Sequence, residues 1–253
     1  MSIPVFLPTC ALVRTMEGLA FYHQCALSAF LLCLLQTHPA QSLASPVLQE
    51  EITPKDLMFR SIDYKNVLHW KPGKGIYNGK AVYFVQHKIY GEKQWTNATH
   101  CLGITKMSCD LSQETSDRRE FYYARVQAAL SGVHSPWVLS QRFVPQWETF
   151  FSPPKVKLAA KERSILVHLR PPHSPYRRRK GGWISMKKLH KFNYRIYVSH
   201  GNITMEKHVF QGSVSKVLIV NLRPRMTYCV QAEATIELYS RTSKRSRKIC
   251  ISL

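Results

Sequence analysis

Apolar and polar residues alternate along several short stretches of this chain, a pattern typical of half-buried β-strands. Residues 67–72 (VLHWKP) alternate up to a proline, and residues 165–172 (ILVHLRPP) repeat the pattern later in the chain. Residues 82–90 (VYFVQHKIY) correspond in the same way to residues 192–198 (FNYRIYV). Because no helical period interrupts either copy, the pattern predicts an all-β chain made of two copies of one unit.

A third pair of strands belongs to the repeat, since residues 122–128 (YYARVQA) correspond to residues 228–232 (YCVQA). The second of these follows residues 222–227 (LRPRMT), which are typical of the turn into a sandwich strand whose tyrosine bonds back across the corner. Tyr123 and Tyr228 are therefore assigned structural roles. With turns rich in Gly, Pro, Asn and Ser between the strands, two β-sandwiches are the predicted architecture.

The predicted domain organisation places the first module at residues 53–147, a linker at residues 148–154 and the second module at residues 155–253. The linker contains the tandem prolines Pro153 and Pro154, which restrict the backbone. Its aromatic residues are expected to pack between the modules. The prediction is therefore a fixed elbow rather than a flexible tether.

An apolar run near the N-terminus, residues 26–35 (ALSAFLLCLL), is about half as long as a membrane-spanning helix needs to be. Small residues follow it, and Ser42-Leu-Ala44 fits a signal-peptidase site, so residues 1–44 are predicted to be a signal peptide. Translation from Met16 would give a leader of more ordinary length. Since the last predicted strand ends at Leu253 without an apolar span, the expectation is a secreted, extracellular protein.

Four of the seven cysteines remain after the predicted leader, namely Cys101, Cys109, Cys229 and Cys250. An even number in an exported chain predicts disulfides rather than metal ligands or a nucleophile. Three pairings are possible, and the spacing favours the local pairs Cys101–Cys109 and Cys229–Cys250. The sequons at Asn97 and Asn202 are expected to carry glycans on surface loops.

Positive charge is concentrated in the second module, where 22 Lys or Arg residues face 4 Asp or Glu residues and account for +18 of the chain's net charge of +21. Two clusters stand out in the sequence: Arg177, Arg178, Arg179 and Lys180, and Lys244, Arg245, Arg247 and Lys248. Outside the cell, sulfated glycosaminoglycan such as heparan sulfate is the expected counter-surface, and an acidic protein face is the second candidate. Nucleic acid is not expected, because the basic runs lack interleaved stacking aromatics.

Catalysis has no support in the sequence. The chain contains no Gly-x-Ser-x-Gly elbow, no His-Glu-x-x-His and no phosphate-binding loop. The histidines are scattered, and His69 and His168 occupy equivalent strand positions that are expected to face solvent. No enzyme activity, cofactor or metal site is predicted.

Three motifs resemble fibronectin type III modules: Leu-x-Trp-x-Pro at residues 68–72, Tyr-x-Arg-Val-x-Ala at 123–128 and Leu-x-Pro-x-x-x-Tyr at 222–228. Two such modules, with a disulfide late in each and a degenerate Ser135-Pro-Trp137, resemble class II cytokine receptors. Residues 82–95 and two shorter stretches in the first module (109–117 and 145–149) resemble a soluble member of that family. The resemblance covers about residues 53–253 and is looser in the second module.

The resemblance implies that the elbow presents loops from both modules to a helical cytokine. It places Tyr90 and Gly91 on the loop with the central aromatic contact, and Asp117, Arg118 and Arg119 on the next loop, where the two arginines depart from the family. Leu238 and Tyr239 lie on the last loop of the second module. A loop tyrosine is typical of binding hot spots, although without the resemblance Tyr90 would be interpreted as an edge aromatic. Core or junction positions are expected for Trp70, Trp95, Trp137 and Trp147.

A secreted, monomeric decoy receptor is the function that the resemblance implies. Such a protein binds a helical cytokine, blocks its engagement of the membrane receptor and sends no signal. Two alternatives are a glycosaminoglycan-binding extracellular fibronectin type III protein and the truncated ectodomain of a signalling class II cytokine receptor.

Overall fold

A computed structural model describes residues 46–76, 81–200 and 214–253 of the chain, together with the backbone of residues 203–210. The predicted leader and the sequon at Asn202 lie outside the described residues. A short helix, α1 (Pro46–Glu51), precedes the first strand. The following residues form strands in two successive sandwiches.

The first module consists of two antiparallel sheets. Its strands are β1 (Lys55–Ile62), β2 (Lys65–Lys71), β3 (Val82–Ile89), β4 (Thr96–Ile104), β5 (Ser108–Asp110), β6 (Tyr122–Leu130), β7 (Val133–His134) and β8 (Val138–Leu139). One sheet has the order β1-β2-β5, and the other has the order β4-β3-β6-β7 with β8 also paired to β6. A single helical turn, α2 (Pro145–Glu148), follows the module.

The second module repeats this arrangement. Its strands are β9 (Lys155–Lys161), β10 (Ser164–Arg170), β11 (His173–Arg177), β12 (Trp183–Ser185), β13 (Asn193–His200), β14 (Ile203–Phe210), β15 (Lys216–Ile219), β16 (Thr227–Ile236), β17 (Arg241–Thr242) and β18 (Ile249–Ser252). One sheet has the order β9-β10-β15, and the other has the order β14-β13-β16-β17 with β18 also paired to β16. An additional hairpin, β11-β12, lies between β10 and β13 in the chain. The module also contains two 3-10 turns, Met186–Lys188 and Glu237–Tyr239.

Strand alternation separates the two faces of each sheet as the sequence predicts. In β10, Ile165, Val167 and Leu169 are buried, whereas the residues between them face outward. In the first module Leu68 and Trp70 are buried in the same way, and the Trp70 ring meets the Tyr83 ring edge-on at 5.3 Å. Each module therefore encloses its own hydrophobic core between two sheets, which confirms the predicted pair of tandem β-sandwiches.

Each module has a tyrosine corner, but the residue in the first module differs from the prediction. The Tyr228 hydroxyl accepts a hydrogen bond from the Arg223 backbone N–H at 2.9 Å, as expected. In the first module the buried Tyr122, not Tyr123, donates its hydroxyl to the Asp117 carbonyl at 3.0 Å. Strand parity decides this choice, because Tyr122 faces the interior and its neighbour necessarily faces outward.

The structure contains both disulfides that the spacing favours. Cys101–Cys109 joins β4 to β5 across the two sheets and is buried in the first core. Cys229–Cys250 joins the directly paired strands β16 and β18, and Cys250 is exposed. The sequon residue Asn97 is exposed, but the prediction of a loop is wrong, because Asn97 lies within β4 and its side-chain oxygen accepts a hydrogen bond from the Gln86 amide at 2.8 Å.

Two tryptophans that were expected in the core or junction lie instead on the outer face of the first module. The Arg125 guanidinium lies between them, 4.4 Å from the Trp95 ring centroid and 4.6 Å from that of Trp137. A second cation, the Lys88 ammonium group, also lies over the Trp95 ring, 4.9 Å from its centroid. The prediction for Trp95 and Trp137 is wrong because β6 points Arg125 outward, and both indoles pack against that cation rather than against the core.

Candidate binding surface at the elbow

Tyr64, in the turn between β1 and β2 of the first module, is inserted into the core of the second module. It is fully buried, and its hydroxyl forms a hydrogen bond of 2.6 Å with the His190 Nε2 atom. The Tyr176 ring stacks against it with 6.1 Å between centroids, and the Arg118 guanidinium lies over it at 5.5 Å. One side chain of the first module therefore completes the interior of the second.

The turn that carries Tyr64 has an unusual backbone. Asp63 and Tyr64 have φ angles of +53° and +67°, as the two central residues of a two-residue hairpin turn of the I′ type require. Such turns normally contain Asn-Gly or Asp-Gly, so a tyrosine in this position carries a conformational cost. Its burial in the second module offsets that cost and fixes the direction of the turn.

The linker is hydrogen-bonded to the same turn. The Asp63 N–H donates to the Phe150 carbonyl at 2.8 Å, and the Ser152 N–H donates to the Asp63 carboxylate at 3.0 Å. Burial raises the pKa of Asp63, while these hydrogen bonds with Ser152 oppose the shift. Since the linker is tied to the first module on one side and enters β9 on the other, the elbow is held in one geometry.

A second set of contacts ties the last loop of the second module to the linker. The Arg241 guanidinium donates to the carbonyl oxygens of Thr149, at 2.8 Å, and of Trp147. The Trp147 ring meets the Tyr239 ring edge-on with 5.0 Å between centroids. The loop predicted to meet a ligand is therefore positioned by direct contact with the linker.

Tyr90 and Gly91 lie in the tight turn between β3 and β4. The Tyr90 side chain is 64% exposed, while its backbone N–H donates to the Phe121 carbonyl at 2.7 Å. Gly91 has a φ of +91°, a conformation that side chains with a Cβ rarely adopt. The turn is further closed by Glu92, whose carboxylate accepts the Ile89 N–H at 3.1 Å. A large aromatic side chain is therefore presented to solvent from a well-supported backbone.

The loop that contains Asp117, Arg118 and Arg119 connects β5 to β6 and is hydrogen-bonded both to the Tyr90 turn, through Phe121, and to helix α2. Asp117 is exposed and its carboxylate accepts the Arg119 N–H at 3.1 Å. The Arg118 carbonyl accepts the Gln146 N–H at 2.9 Å, so the loop is bound to helix α2. The half-buried Arg118 side chain covers Tyr64, which places it in the junction, whereas Asp117 and Arg119 remain exposed.

Leu238 and Tyr239 lie in the 3-10 turn at the tip of the β16–β17 connection. Leu238 is 80% exposed, the highest exposure among the large apolar side chains of the described residues. Tyr239 is half-buried between Trp147 and His190, 5.6 Å from the imidazole centroid. Of this predicted pair, Leu238 is exposed enough to contact a ligand, whereas Tyr239 mainly packs against Trp147 and His190 and so supports the turn.

Sequence reasoning missed part of the apolar surface near these loops. Phe121 is 37% exposed beside Tyr90, while Trp147 and Phe150 in and near the linker are 53% and 70% exposed. Only Phe151 among the linker aromatics packs into the second core as expected. The cluster of aromatics at residues 147–151 was the available signal, but its alternation between inward and outward positions depends on how the linker docks.

The basic charge of the second module is divided among three separate places. The cluster at residues 177–180 forms the tip of the β11–β12 hairpin, where Arg177 stacks on Trp183 at 4.3 Å. The cluster at residues 244–248 runs beside β16, where the Ser246 N–H donates to the Ala232 carbonyl at 2.8 Å, and its Arg245 stacks on Tyr197 at 3.5 Å. A third group of basic residues lies on the outer face of the β9-β10-β15 sheet, and these residues are not consecutive in the sequence. The two runs seen in the sequence therefore do not form one patch.

One group of side chains in the described residues has the proximity of a metal site. The ligand atoms of His100, Cys101 and Cys109 lie within 4.8 Å of one another. Both sulfur atoms belong to the same disulfide, so they are not available as thiolate ligands. The arrangement therefore offers a metal only the imidazole.

Comparison with known proteins agrees with this architecture. Residues 24–137 match the family model described as tissue factor, and residues 149–253 match the model described as interferon-alpha/beta receptor, fibronectin type III. The chain is 37% identical over 202 residues to interleukin-22 receptor subunit alpha-2 of Mus musculus, covering 80% of this chain and 88% of that protein. The chain belongs to the class II cytokine receptor family.

Other members of the class II cytokine receptor family are also similar. The Homo sapiens interleukin-22 receptor subunit alpha-2 is 33% identical, with 81% of this chain and 90% of that protein covered. The Homo sapiens interleukin-20 receptor subunit alpha is 36% identical over 78% of this chain but only 36% of that protein. The fold is shared with the crystal structure of the chicken interferon gamma receptor alpha chain (TM-score 0.59, 20% identity, covering 79% of this chain and 97% of that one).

In the described part of this class II cytokine receptor, no helix has both the length and the apolar character needed to span a bilayer.

Proposed function

We propose that this receptor binds interleukin-22 at the elbow and, as a secreted decoy, prevents the cytokine from engaging its membrane receptor. It performs no chemistry and sends no signal. The observation that carries the proposal is the rigid presentation of exposed side chains from both modules, Tyr90 from the first and Leu238 from the second. The similarity to interleukin-22 receptor subunit alpha-2 supports the choice of ligand.

The physical basis of binding is the preorganised elbow. A surface whose loops are already hydrogen-bonded to neighbouring segments loses little conformational entropy when a ligand docks. Tyr90 supplies a large contact area on a side chain with few rotatable bonds, as hot-spot tyrosines do. Asp117 and Arg119 flank it as exposed charges, which steer association and restrict the choice of partner.

A decoy works by occlusion, so slow release matters more than fast capture. The first test is surface plasmon resonance of the secreted protein against interleukin-22, at low and physiological salt. Tight binding that tolerates salt, with slow dissociation, is expected. Weak binding that disappears at physiological salt would contradict the proposal, because it would mean that the basic second module dominates the interaction.

The decoy mechanism needs its own experiment. Interleukin-22 is first captured by this protein, and the soluble ectodomain of interleukin-22 receptor subunit alpha-1 is then added. The expected result is that the second receptor does not bind. Simultaneous binding of both receptors to one cytokine would exclude occlusion even if the affinity for interleukin-22 were high.

An interleukin-20 type ligand is the second candidate, because the identity to interleukin-20 receptor subunit alpha (36%) is close to that to interleukin-22 receptor subunit alpha-2 (37%). Parallel binding measurements with interleukin-20 decide between them. Binding of interleukin-20 that is at least as tight as that of interleukin-22 would transfer the decoy function to the second ligand.

A further inference from the structure

The outer face of the β9-β10-β15 sheet carries a third group of cations that no run in the sequence reveals. The inward-facing residues of β10 and β15 are buried, and Val156 and Leu158 of β9 are half-buried, so the residues between them form one outward surface. We refer to its charged part as the basic sheet face, which consists of Lys155, Lys157, His168, Arg170 and Lys216.

Strand register places these side chains in two adjacent rows. His168 of β10 pairs with Lys157 on one side and with Lys216 on the other, so three basic residues lie side by side across the sheet. Neighbouring strands are about 4.8 Å apart, and the next outward row follows after about 7 Å. That next row is the pair Arg170 and Lys155. The cations therefore form a compact, flat array on a rigid support.

The array is uncompensated within the described residues. None of Lys155, Lys157, Arg170 and Lys216 takes part in an ion pair there, and all four are exposed. The remaining outward positions on these three strands are Ala159, Lys161, Ser164, Leu166 and Leu218. No carboxylate and no aromatic ring projects from the paired outward rows. The positive charges therefore repel one another, and no anionic side chain in these rows reduces the repulsion.

We propose that the basic sheet face binds sulfated glycosaminoglycan. A flat array of cations without an aromatic anchor lacks the hot-spot composition of a protein interface. It suits a flexible polyanion, which exchanges its counterions for fixed lysine and arginine charges along its length. An acidic lipid surface fits less well, since anionic lipids concentrate in the cytoplasmic leaflet and the predicted compartment is extracellular.

The two basic runs of the sequence are weaker candidates for physical reasons. Arg245 is engaged on the Tyr197 ring. The base of the β11–β12 hairpin lines a cleft of about 880 Å³ whose lining includes three carboxylates, Asp63, Asp110 and Glu114, and one lysine, Lys65. Carboxylates close to the hairpin lower the local positive potential, which reduces its attraction for a polyanion. No residue of the basic sheet face lines this cleft or stacks on an aromatic ring among the described residues.

The test compares two variants with the same loss of charge. Lys157→Gln with Lys216→Gln removes the outer members of the three-residue row, and Arg178→Gln with Arg179→Gln removes two exposed charges from the hairpin tip. Both proteins are loaded on immobilised heparin and eluted with increasing salt. The sheet variant is expected to elute at clearly lower salt than the wild type. Its plot of log affinity against log salt concentration should lose roughly one unit of slope per removed contact.

The hairpin variant is the control and is expected to elute close to the wild type. Equal shifts for both variants would overturn the proposal, because net charge alone would then explain heparin binding. An unchanged elution of the sheet variant would also overturn it. Melting temperatures equal to that of the wild type establish that each variant is folded.

Three further probes test the class of ligand. Desulfated heparin is expected to bind weakly, and comparable binding of the desulfated polymer would contradict a role for sulfate. Duplex DNA and phosphatidylserine vesicles are measured at the same salt. If either competes as well as heparin, the face is a general polyanion surface and the assignment to sulfated polysaccharide is wrong. These experiments do not measure interleukin-22 binding, so their outcome neither supports nor contradicts the decoy proposal.

Discussion

The Tyr64 hydroxyl of the first module forms a hydrogen bond of 2.6 Å with the His190 imidazole of the second, although 126 positions separate them in the chain. Both side chains are buried, and the ring of Tyr64 stacks on the imidazole with 5.6 Å between centroids. This pair connects the two modules through their interiors rather than only through the linker. Their stability and the elbow geometry are therefore expected to be coupled.

Substitution of Tyr64 tests this coupling. Tyr64→Phe leaves a buried imidazole nitrogen without its partner and should lower the free energy of unfolding by about 1–3 kcal/mol. Tyr64→Ala also opens a cavity and should cost about 3–5 kcal/mol. Scanning calorimetry should show one transition for the wild type and two for Tyr64→Ala. Tyr123→Ala serves as the control, because that ring is only half-buried. A single, unshifted transition in Tyr64→Ala would mean that the modules are not coupled through this residue.

The pH dependence of stability should reveal His190. Burial, together with the positive charge of Arg118, lowers the pKa of His190 from 6.5 to about 4. Between these values the unfolded chain binds a proton that the folded protein does not bind, so the free energy of unfolding falls as the pH falls from 6.5 towards 4. The slope contributed by one such group approaches about 1.4 kcal/mol per pH unit.

Urea unfolding of the wild type and of His190→Gln across this pH window measures the effect. The glutamine retains a hydrogen-bonding partner for Tyr64 but does not titrate, so the variant should have a shallower slope. Burial also lowers the pKa of His87, which leaves part of the slope in the variant. Identical slopes in both proteins would show that His190 is not the titrating group.

The stack around Arg125 should stabilise the first module. Its guanidinium packs between two indole rings and its Nε atom donates to the Gln86 side chain at 2.8 Å. Arg125→Lys retains the charge but loses the planar group, which should cost about 1–2 kcal/mol. Thermal unfolding compares it with Arg119→Lys at an exposed position. Equal melting temperatures of the two variants would contradict a stabilising role for the stack.

Mutation of the elbow loops should separate contact residues from other exposed apolar residues. Tyr90→Ala is expected to weaken interleukin-22 binding by roughly 2 kcal/mol or more, as hot-spot aromatics do. Leu238→Ala should also weaken interleukin-22 binding. Leu218→Ala should not, because that leucine, although 51% exposed, lies on the outer face of the β9-β10-β15 sheet of the same module. The measurement is the dissociation constant from surface plasmon resonance. A loss below tenfold for a folded Tyr90→Ala variant would refute the placement of the contact.

The disulfides should differ in their susceptibility to reduction. Cys101 and Cys109 are 3% and 2% exposed within the first core, whereas Cys250 is exposed at the C-terminal strand. A mild thiol reductant needs access to a sulfur atom, so it should reduce Cys229–Cys250 first. Alkylation followed by mass spectrometry identifies the order of reduction. Earlier labelling of Cys101 or Cys109 would mean that the first module opens more readily than its burial implies.

Alternation along the sequence predicted most of the fold for a simple reason. A strand places successive side chains on opposite faces, so the alternation in residues 165–169 predicts which of them are buried. The tyrosine corner at Tyr228 and the local disulfide pairs follow from short-range spacing in the same way. Where two tyrosines are adjacent, as at Tyr122 and Tyr123, the residues alone do not decide which one faces inward.

The candidate surface was predictable in its positions but not in its division of roles. The resemblance pointed to Tyr90, Asp117 and Leu238, and the structure exposes all three side chains. It did not indicate that Arg118 would cover Tyr64 or that Tyr239 would be held by Trp147. These roles depend on how the linker packs, and the linker has no periodic pattern from which its facing can be derived.

By itself, the sequence determined two all-β modules, their order and the uneven charge of the second, and it favoured the two local disulfide pairs, because each of these depends on residues that are close together in the chain. Tertiary structure alone decided that Tyr64 enters the second core and that Lys157, His168 and Lys216 form one row. Both relationships join residues that are distant in sequence through strand pairing and interface packing. Only the register and docking of the folded elements specify them.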